Sequence, residues 1–311
     1  MLEQHYIVTI GSINMDIIGY PEACLNYADS NPGKIRFTPG GVARNIAQNL
    51  ALLGKQSFLF SVTGNDFYGR TILEHTQAAG VNVEKCVVID DAHTSSYLSL
   101  LDENGEMLVA INDMQIVDRL SPTLLQQQLP FIRNAALIIA DCNLSQETLA
   151  WLFRHAGDTP IFVDPVSAHK SVKIQDWLHA IHTLKPNRLE AETLSGLAIV
   201  SRQDAERAAA WFHRQAVKRV ILSMGAEGVY YSERNGAAGW SPPVQTTVIN
   251  VTGAGDAMMA GLASCWLDRL PLAASVRFAQ ACSALTLSSE FTNSPELSFS
   301  NVNALLESDH V

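Results

Sequence analysis

From about Ser121 onward the chain alternates short apolar runs with longer stretches of helical spacing, and this alternation constrains the fold more than any other feature. Ala136–Ala140, Ile161–Val163, Thr183–Leu184, Arg219–Ser223 and Val229–Tyr231 read as strands, and Ser145–His155 and Ser201–Gln215 as helices between them. Parallel strands need a crossover connection, usually helical, so the pattern predicts an α/β fold with a doubly wound, mostly parallel sheet flanked by helices. A run from His5 to Ile13 adds a first buried strand, ending in Gly11-Ser12-Ile13-Asn14-Met15-Asp16. Later strands also end in polar groups: Asp141-Cys-Asn143, Asp164-Pro165, Lys185-Pro-Asn187 and Ser223-Met-Gly225. Ligands of open α/β sheets gather at the carboxyl ends of strands, so the repetition predicts a ligand lying across that edge.

One segment breaks the alternation. Thr94 to Ile111 reads as a β-hairpin turning at Asp102-Glu-Asn-Gly105. With the extended pieces Asp16–Tyr20 and Lys34–Thr38 it predicts a small sheet outside the main one, serving as a lid, as an oligomer interface, or as both. The expected organisation is a single domain over residues 1–311, with lid segments at about 16–38 and 94–112. A hydrophobic fraction of 47 % with 17 % charged residues gives such a domain a large core.

Two glycine turns open helices. Gly40-Gly41 precedes a helical pattern from Ile46 to Leu53 and lets a ligand approach the backbone, with Asn45 one turn inside. Asn250-Val-Thr252-Gly253-Ala254-Gly255-Asp256 precedes an apolar run, Ala257 to Leu267, that reads as a buried helix. A helix start offers unpaired N–H groups and the positive end of the dipole, which suits an anion. A carboxylate beside such an anion site suits a hydroxyl that attacks a phosphoryl group. On this stretch alone an ordinary glycine turn, with Asp256 as a helix-start residue, fits equally well. Asn14 and Asp16 likewise read either as site residues or as turn residues.

The formal net charge of −10 excludes a general nucleic-acid binder, because no basic block exists to neutralise a phosphate backbone. The five cysteines are scattered without metal spacing and read as free thiols of a reducing compartment. No stretch resembles a signal peptide or reaches membrane-spanning length, so a cytoplasmic protein without membrane partners is expected. No Walker phosphate loop, H-E-x-x-H or G-x-S-x-G occurs, and nothing after the first strand reads G-x-G-x-x-G.

Gly40-Gly41-x-x-x-Asn45, with Gly54 and Gly64 behind it, and Asn250-Val-Thr-Gly253-Ala254-Gly255-Asp256 resemble the two signatures of the PfkB/ribokinase family of sugar and nucleoside kinases. Gly11-Ser-x-Asn14-x-Asp16, Asn187-x-x-Glu190 and Ser223-Met-Gly225-x-x-Gly228 match its other landmarks, in the family's order. Tyr27–Lys34, Val163–Lys170 and Leu184–Glu192 are similar to the branch that phosphorylates the ribose 5′-hydroxyl of pseudouridine, a C-linked nucleoside. Ribose, fructose and inosine are the alternative substrates within the family.

The resemblance implies a ribokinase-like fold and a set of roles. Asp256 is the base, an ordinary carboxylate with no need of a raised pKa, and the N–H groups after Gly253, on Ala254, Gly255 and Asp256, hold the transferred charge. Ser12, Asn14, Asp16, Gly40, Gly41, Asn45, Asn112, Asn143 and Lys170 take the nucleoside, with Asp16 on the ribose hydroxyls. Asn112 or Asn143 reads the extra ring N–H of pseudouridine, whereas Lys170 reads equally as a surface lysine. Asn187, Ser223, Gly225, Gly228, Thr252, Gly255 and Gln280 take ATP, and Asn187 with Glu190 reaches Mg²⁺ through water. The family often has Asp at the position of Asn250 and binds a monovalent cation nearby, so a potassium requirement stays open here. A homodimer through the lid is the implied assembly.

Overall fold

The structure, a computed structural model, describes residues 6–308. His5, expected in the first strand, and both ends of the 1–311 span lie outside the described residues. The strands are β1 (Tyr6–Ile10), β2 (Asn14–Pro21), β3 (Gly33–Gly40), β4 (Gln56–Phe60), β5 (Val62–Gly64), β6 (Val87–Ile89), β7 (Ser96–Leu101), β8 (Met107–Asp113), β9 (Leu137–Asp141), β10 (Ile161–Asp164), β11 (Thr183–Leu184), β12 (Arg219–Ser223), β13 (Val229–Glu233) and β14 (Ala238–Ser241).

An eight-stranded sheet runs in the order β14-β13-β12-β11-β10-β9-β1-β4. From β12 to β4 every pairing is parallel, and β13 and β14 close one edge as antiparallel strands. The fold is thus the expected α/β sheet, with β4, β14 and the β5–β6 pair added to the strands read from the sequence. Alternating residues of the central strands feed two cores. Val8, Ile10, Ile138 and Val163 face one layer of helices that includes Gln146–His155 and Arg202–Arg214. Ile7, Leu137, Ile139 and Phe162 face the other, built on Val42–Leu52, Ala254–Leu267 and Leu272–Leu287. Burial on both faces explains why these strands read as unbroken apolar runs.

Successive parallel strands leave β1 in opposite directions, to β4 on one side and β9 on the other, so the topological switch point lies between β1 and β9. Asp141 ends β9 at that point and is fully buried. Its carboxylate accepts the Ser12 N–H at 2.9 Å, the Ser12 Oγ–H at 2.8 Å, the Ala43 N–H at 2.9 Å and the Asn143 N–H at 2.8 Å. Those bonds tie the end of the sheet to the start of the Val42–Leu52 helix.

β2 leaves the main sheet after a three-residue turn and enters a separate four-stranded sheet ordered β3-β2-β7-β8. This is the small sheet expected from residues 16–38 and 94–112. Thr38, Asp16, Tyr97 and Asn112 lie in one cross-strand row and therefore point to one face. Phe37, Ile17, Leu98 and Ile111 form the adjacent row on the opposite face.

Candidate active site

The glycine turn before Ala254–Leu267 has the geometry of an anion site. Gly253 takes a left-handed conformation, φ 83°, and a Cβ there would stand 2.1 Å from the Thr292 carbonyl oxygen, so only glycine fits. No side chain caps this helix, and Gly255 is exposed, which leaves the first-turn N–H groups open. Asn250 braces the turn: its Oδ1 accepts the Thr252 N–H at 2.9 Å, and its amide N–H donates to the Glu290 carbonyl at 3.3 Å.

Asp256, in the first turn, is buried. Its Oδ2 accepts from Asn45 Nδ2 at 2.8 Å, which brings the two glycine turns of the sequence together. Burial and the nearby Asp164 push its pKa up to about 8, against the opposing pull of Asn45 and Lys185. The expected ordinary carboxylate is therefore corrected: the group is buried, and the cation that most favours its ionised form is already held by another acid. That cation is Lys185, buried after β11 and 3.1 Å from Asp164 Oδ2. Burial pulls the ammonium down, but Asp164 and Glu190 outweigh that and leave its pKa above the usual value. Lys185 Nζ comes within 3.4 Å of where a Cβ on Gly255 would stand, so the positive charge lies against the anion turn.

Across the switch point lies the second group of sequence candidates. Asp16 Oδ1 accepts from Asn14 Nδ2 at 2.6 Å. A Cβ on Gly40 would fall 2.3 Å from Asp16 Oδ2, so the glycine makes room for this carboxylate. Burial raises the Asp16 pKa to about 6, with Asn14 and Arg44 opposing. Gly41 caps the Val42–Leu52 helix, and Ser12 Oγ accepts its first N–H, from Val42, at 3.1 Å.

Asn143, Lys170 and Ser12 form one chain. Asn143 donates to Ser12 Oγ at 2.8 Å and accepts from Lys170 Nζ at 2.5 Å. Both ends of the Asn143 amide are thus engaged, and Lys170 turns inward to the site, its pKa lowered by burial. Asn112 stands apart, exposed on the edge strand β8.

A groove of about 360 Å³ runs along the other side of the anion turn. Asn187, Ser223, Gly225, Gly228, Gly255 and Gln280 line it, as expected for one ligand; Thr252, exposed, is not part of the lining. Gln280 accepts from Ser241 Oγ at 2.5 Å and donates to the Pro242 carbonyl at 3.0 Å, so its amide is fixed at the wall. Asn187 and Glu190 form a capping box on the helix Arg188–Ser195: the Glu190 N–H reaches Asn187 Oδ1 at 2.9 Å, and the Asn187 N–H reaches Glu190 Oε2 at 2.8 Å. Burial and Asp164 raise the Glu190 pKa. No group of three His, Cys, Asp or Glu side chains able to hold a metal occurs among the described residues. The donor set fits Mg²⁺ held mainly by phosphates and water, the usual state of this poorly dehydrating ion.

Lys185, Arg44 and Asn293 belong to this constellation and were missed as site residues in the sequence. Lys185 carried a signal, a charge directly after an apolar strand. Arg44 and Asn293 carried none, because only folding brings them together, at 2.9 Å.

An anion turn, a buried acid and a nucleotide-sized groove on a doubly wound sheet define a phosphotransferase site, and the chain belongs to the pfkB family of carbohydrate kinases, whose profile it matches over residues 4–298. It is 60 % identical over 307 residues to the pseudouridine kinase of Escherichia coli (strain K12), covering 99 % of this chain and 98 % of that one. An uncharacterised sugar kinase of the same organism is 42 % identical, over 98 % and 84 % of the two chains. Among solved structures, a carbohydrate kinase from Agrobacterium tumefaciens superposes with a TM-score of 0.88 at 27 % identity, covering 98 % and 97 %.

Proposed function

We propose that this protein is an ATP-dependent kinase that phosphorylates the ribose 5′-hydroxyl of pseudouridine, giving pseudouridine 5′-phosphate and ADP. The observation that carries the reading is the buried Asp256 in the first turn of a helix whose N–H groups are open to an anion. The 60 % identity to a pseudouridine kinase over almost the whole of both chains supports the substrate.

In the reaction the 5′-oxygen attacks the γ-phosphorus, its proton passes to Asp256, and the bond from that phosphorus to the bridging oxygen of ADP breaks. The N–H groups of Ala254, Gly255 and Asp256, with Lys185 beside them, hold the charge that spreads over the phosphoryl oxygens. A base with pKa near 8 lies close to neutral operating pH, where proton transfer is best balanced. Asp16 takes the ribose hydroxyls, supported by Asn14 and the Gly40 backbone. Lys170 and Asn143 offer donors to the base, and Asn112 reaches it from the lid. Glu190 and Asn187 would hold the waters of Mg²⁺ arriving with ATP, which would supply charge screening for the phosphates. The Asn250 amide already links the segments at 250 and 290, which supports turnover without a monovalent cation.

The lid face bearing Ile35, Phe37, Leu98, Val109 and Ile111 is apolar and exposed, which supports a homodimer through the lid. Among the described residues no helix is long and apolar enough to cross a membrane. Five free cysteines support a cytoplasmic location.

The test is ADP release measured across pseudouridine, uridine, inosine, ribose and fructose. Pseudouridine should give the highest kcat/KM. Equal values for uridine and pseudouridine would reduce the reading to a broad nucleoside kinase, and no ADP release with any of them would remove it.

A further inference from the structure

Arg44 precedes Asn45 in the Val42–Leu52 helix and is 1 % exposed. A guanidinium so placed is costly unless its charge and donors are met. Among the described residues no carboxylate forms an ion pair with it. Its N–H groups go instead to uncharged acceptors on several elements. Nε donates to Thr76 Oγ1 at 3.2 Å, and Nη2 to Gln48 Oε1, with His75 Nδ1 facing it at 3.1 Å. Nη1 donates to the Pro39 carbonyl at 2.9 Å, Asn293 Oδ1 at 2.9 Å and Asn45 Oδ1 at 3.0 Å.

The contact with Asn45 has a directional consequence. An amide has an acceptor end and a donor end. With Oδ1 held by the guanidinium, Nδ2 is the end left for Asp256 Oδ2, at 2.8 Å. Asn293 holds the same residue from behind, donating to the Asn45 carbonyl at 3.0 Å. Oδ1 of Asp256 accepts no hydrogen bond among the described residues. We propose that Arg44 is a positioning residue for phosphoryl transfer: acting through Asn45, it fixes Oδ1 of Asp256 as the oxygen that receives the hydroxyl proton. The proposal rests on the reading of this chain as a kinase with Asp256 as base.

The surroundings of Asp256 agree. Asp164 at the end of β10 and Asp141 at the end of β9 disfavour its ionised form, and Lys185 after β11 and the Asn45 amide favour it. Arg44 is the further cation in this field: burial pulls its pKa down to about 10, with Asp16 and Asp256 holding it up, so it remains charged at neutral pH. Removing that charge leaves Asp256 harder to ionise.

The experiment is a cycle of Arg44→Met and Arg44→Lys, each alone and with Asn45→Ala, on protein shown to be folded by thermal melting. Arg44→Met should lower kcat by about tenfold or more, with the acid limb of the pH profile displaced to higher pH and the KM for ATP little changed. Arg44→Lys should keep the limb near its original position yet still lose turnover, because an ammonium cannot reproduce the planar fork. With Asn45→Ala in place, Arg44→Lys should cost little more, since its effect passes through Asn45, and Arg44→Met should add only the displacement of the limb that follows from its lost charge. Costs that multiply independently, or folded variants with unchanged kcat and limb, overturn the proposal. Should Arg44→Met fail to fold, the lysine cycle decides by the same criterion. Asp256→Asn, run in parallel, separates the two ideas. Undiminished turnover there removes the base itself, whereas its loss alongside independent Arg44 costs removes only the role of Arg44.

Discussion

Two carboxylates face the site from different supports. Asp256 stands in the first turn of a helix buried between the main sheet and its neighbours, among Asp164, Lys185 and Asp141, and its pKa is pushed to about 8. Asp16 stands on β2 in the small sheet, with Asn14 as its hydrogen-bond partner, and burial raises it only to about 6. The acid proposed to exchange a proton is held by the core, and the acid proposed only to accept hydroxyl hydrogen bonds is carried by the small sheet. Burial raises both, and at Asp256 the neighbouring carboxylates of Asp164 and Asp141 add to it, a support that the packed edge of the main sheet supplies and β2 does not.

The largest test of this contrast is Asp256→Asn, with kcat expected to fall by about a hundredfold or more while the KM for ATP holds. The same variant should be more stable than the parent. An Asp whose pKa rises from 3.8 to about 8 on folding destabilises the native state once it must ionise. The native state holds that proton more tightly, so the contribution is most favourable below pH 3.8 and is lost as pH rises towards 8. The gain in Tm of Asp256→Asn should therefore grow across that window, and a flat difference from pH 4 to 8 would show that Asp256 titrates normally.

Asp16→Ala should be next in size, lowering kcat/KM for the nucleoside by about a hundredfold while ATP binding is nearly unchanged. Equal rises in both KM values would mean that the residue holds the fold. Lys170→Met should follow, because it removes a donor and the anchor that orients the Asn143 amide; about a tenfold loss for pseudouridine, with a smaller gap to uridine, is expected. The smallest effect belongs to Asn112→Ala. This exposed edge-strand residue should change the pseudouridine-to-uridine ratio by about twofold to fivefold, and any larger change would mean that the lid closes more tightly than its exposed position implies.

The same contrast explains what was legible in the sequence. The main sheet was readable because burial on both faces makes β9, β10 and β12 continuous apolar runs, and the glycines at 40, 41 and 253 mark close approaches. β4 and β14 went unread: Gln56–Phe60 follows a helix without a polar end, and Ala238–Ser241 has little β-type character. Each catalytic candidate lay in a local motif. Arg44, Lys185 and Asn293 act across separations that only topology closes, such as the 249 residues between Arg44 and Asn293. The shift on Asp256 was invisible for the same reason, since Asp164 and Lys185 reach it only through the ordering of β10, β11 and the helix.

The capping box at Asn187 and Glu190 constrains position 187 in two ways. Asp and Asn cap helices about equally well, but here the Asn187 amide also donates to Glu190 Oε1 at 2.9 Å, which an acid at 187 could not do. An acid there would set another negative charge beside Glu190, at the groove where a triphosphate is proposed to arrive. Neutrality at this position therefore serves scaffold and guest together: an acid would break the bond to Glu190 and repel the proposed phosphate donor.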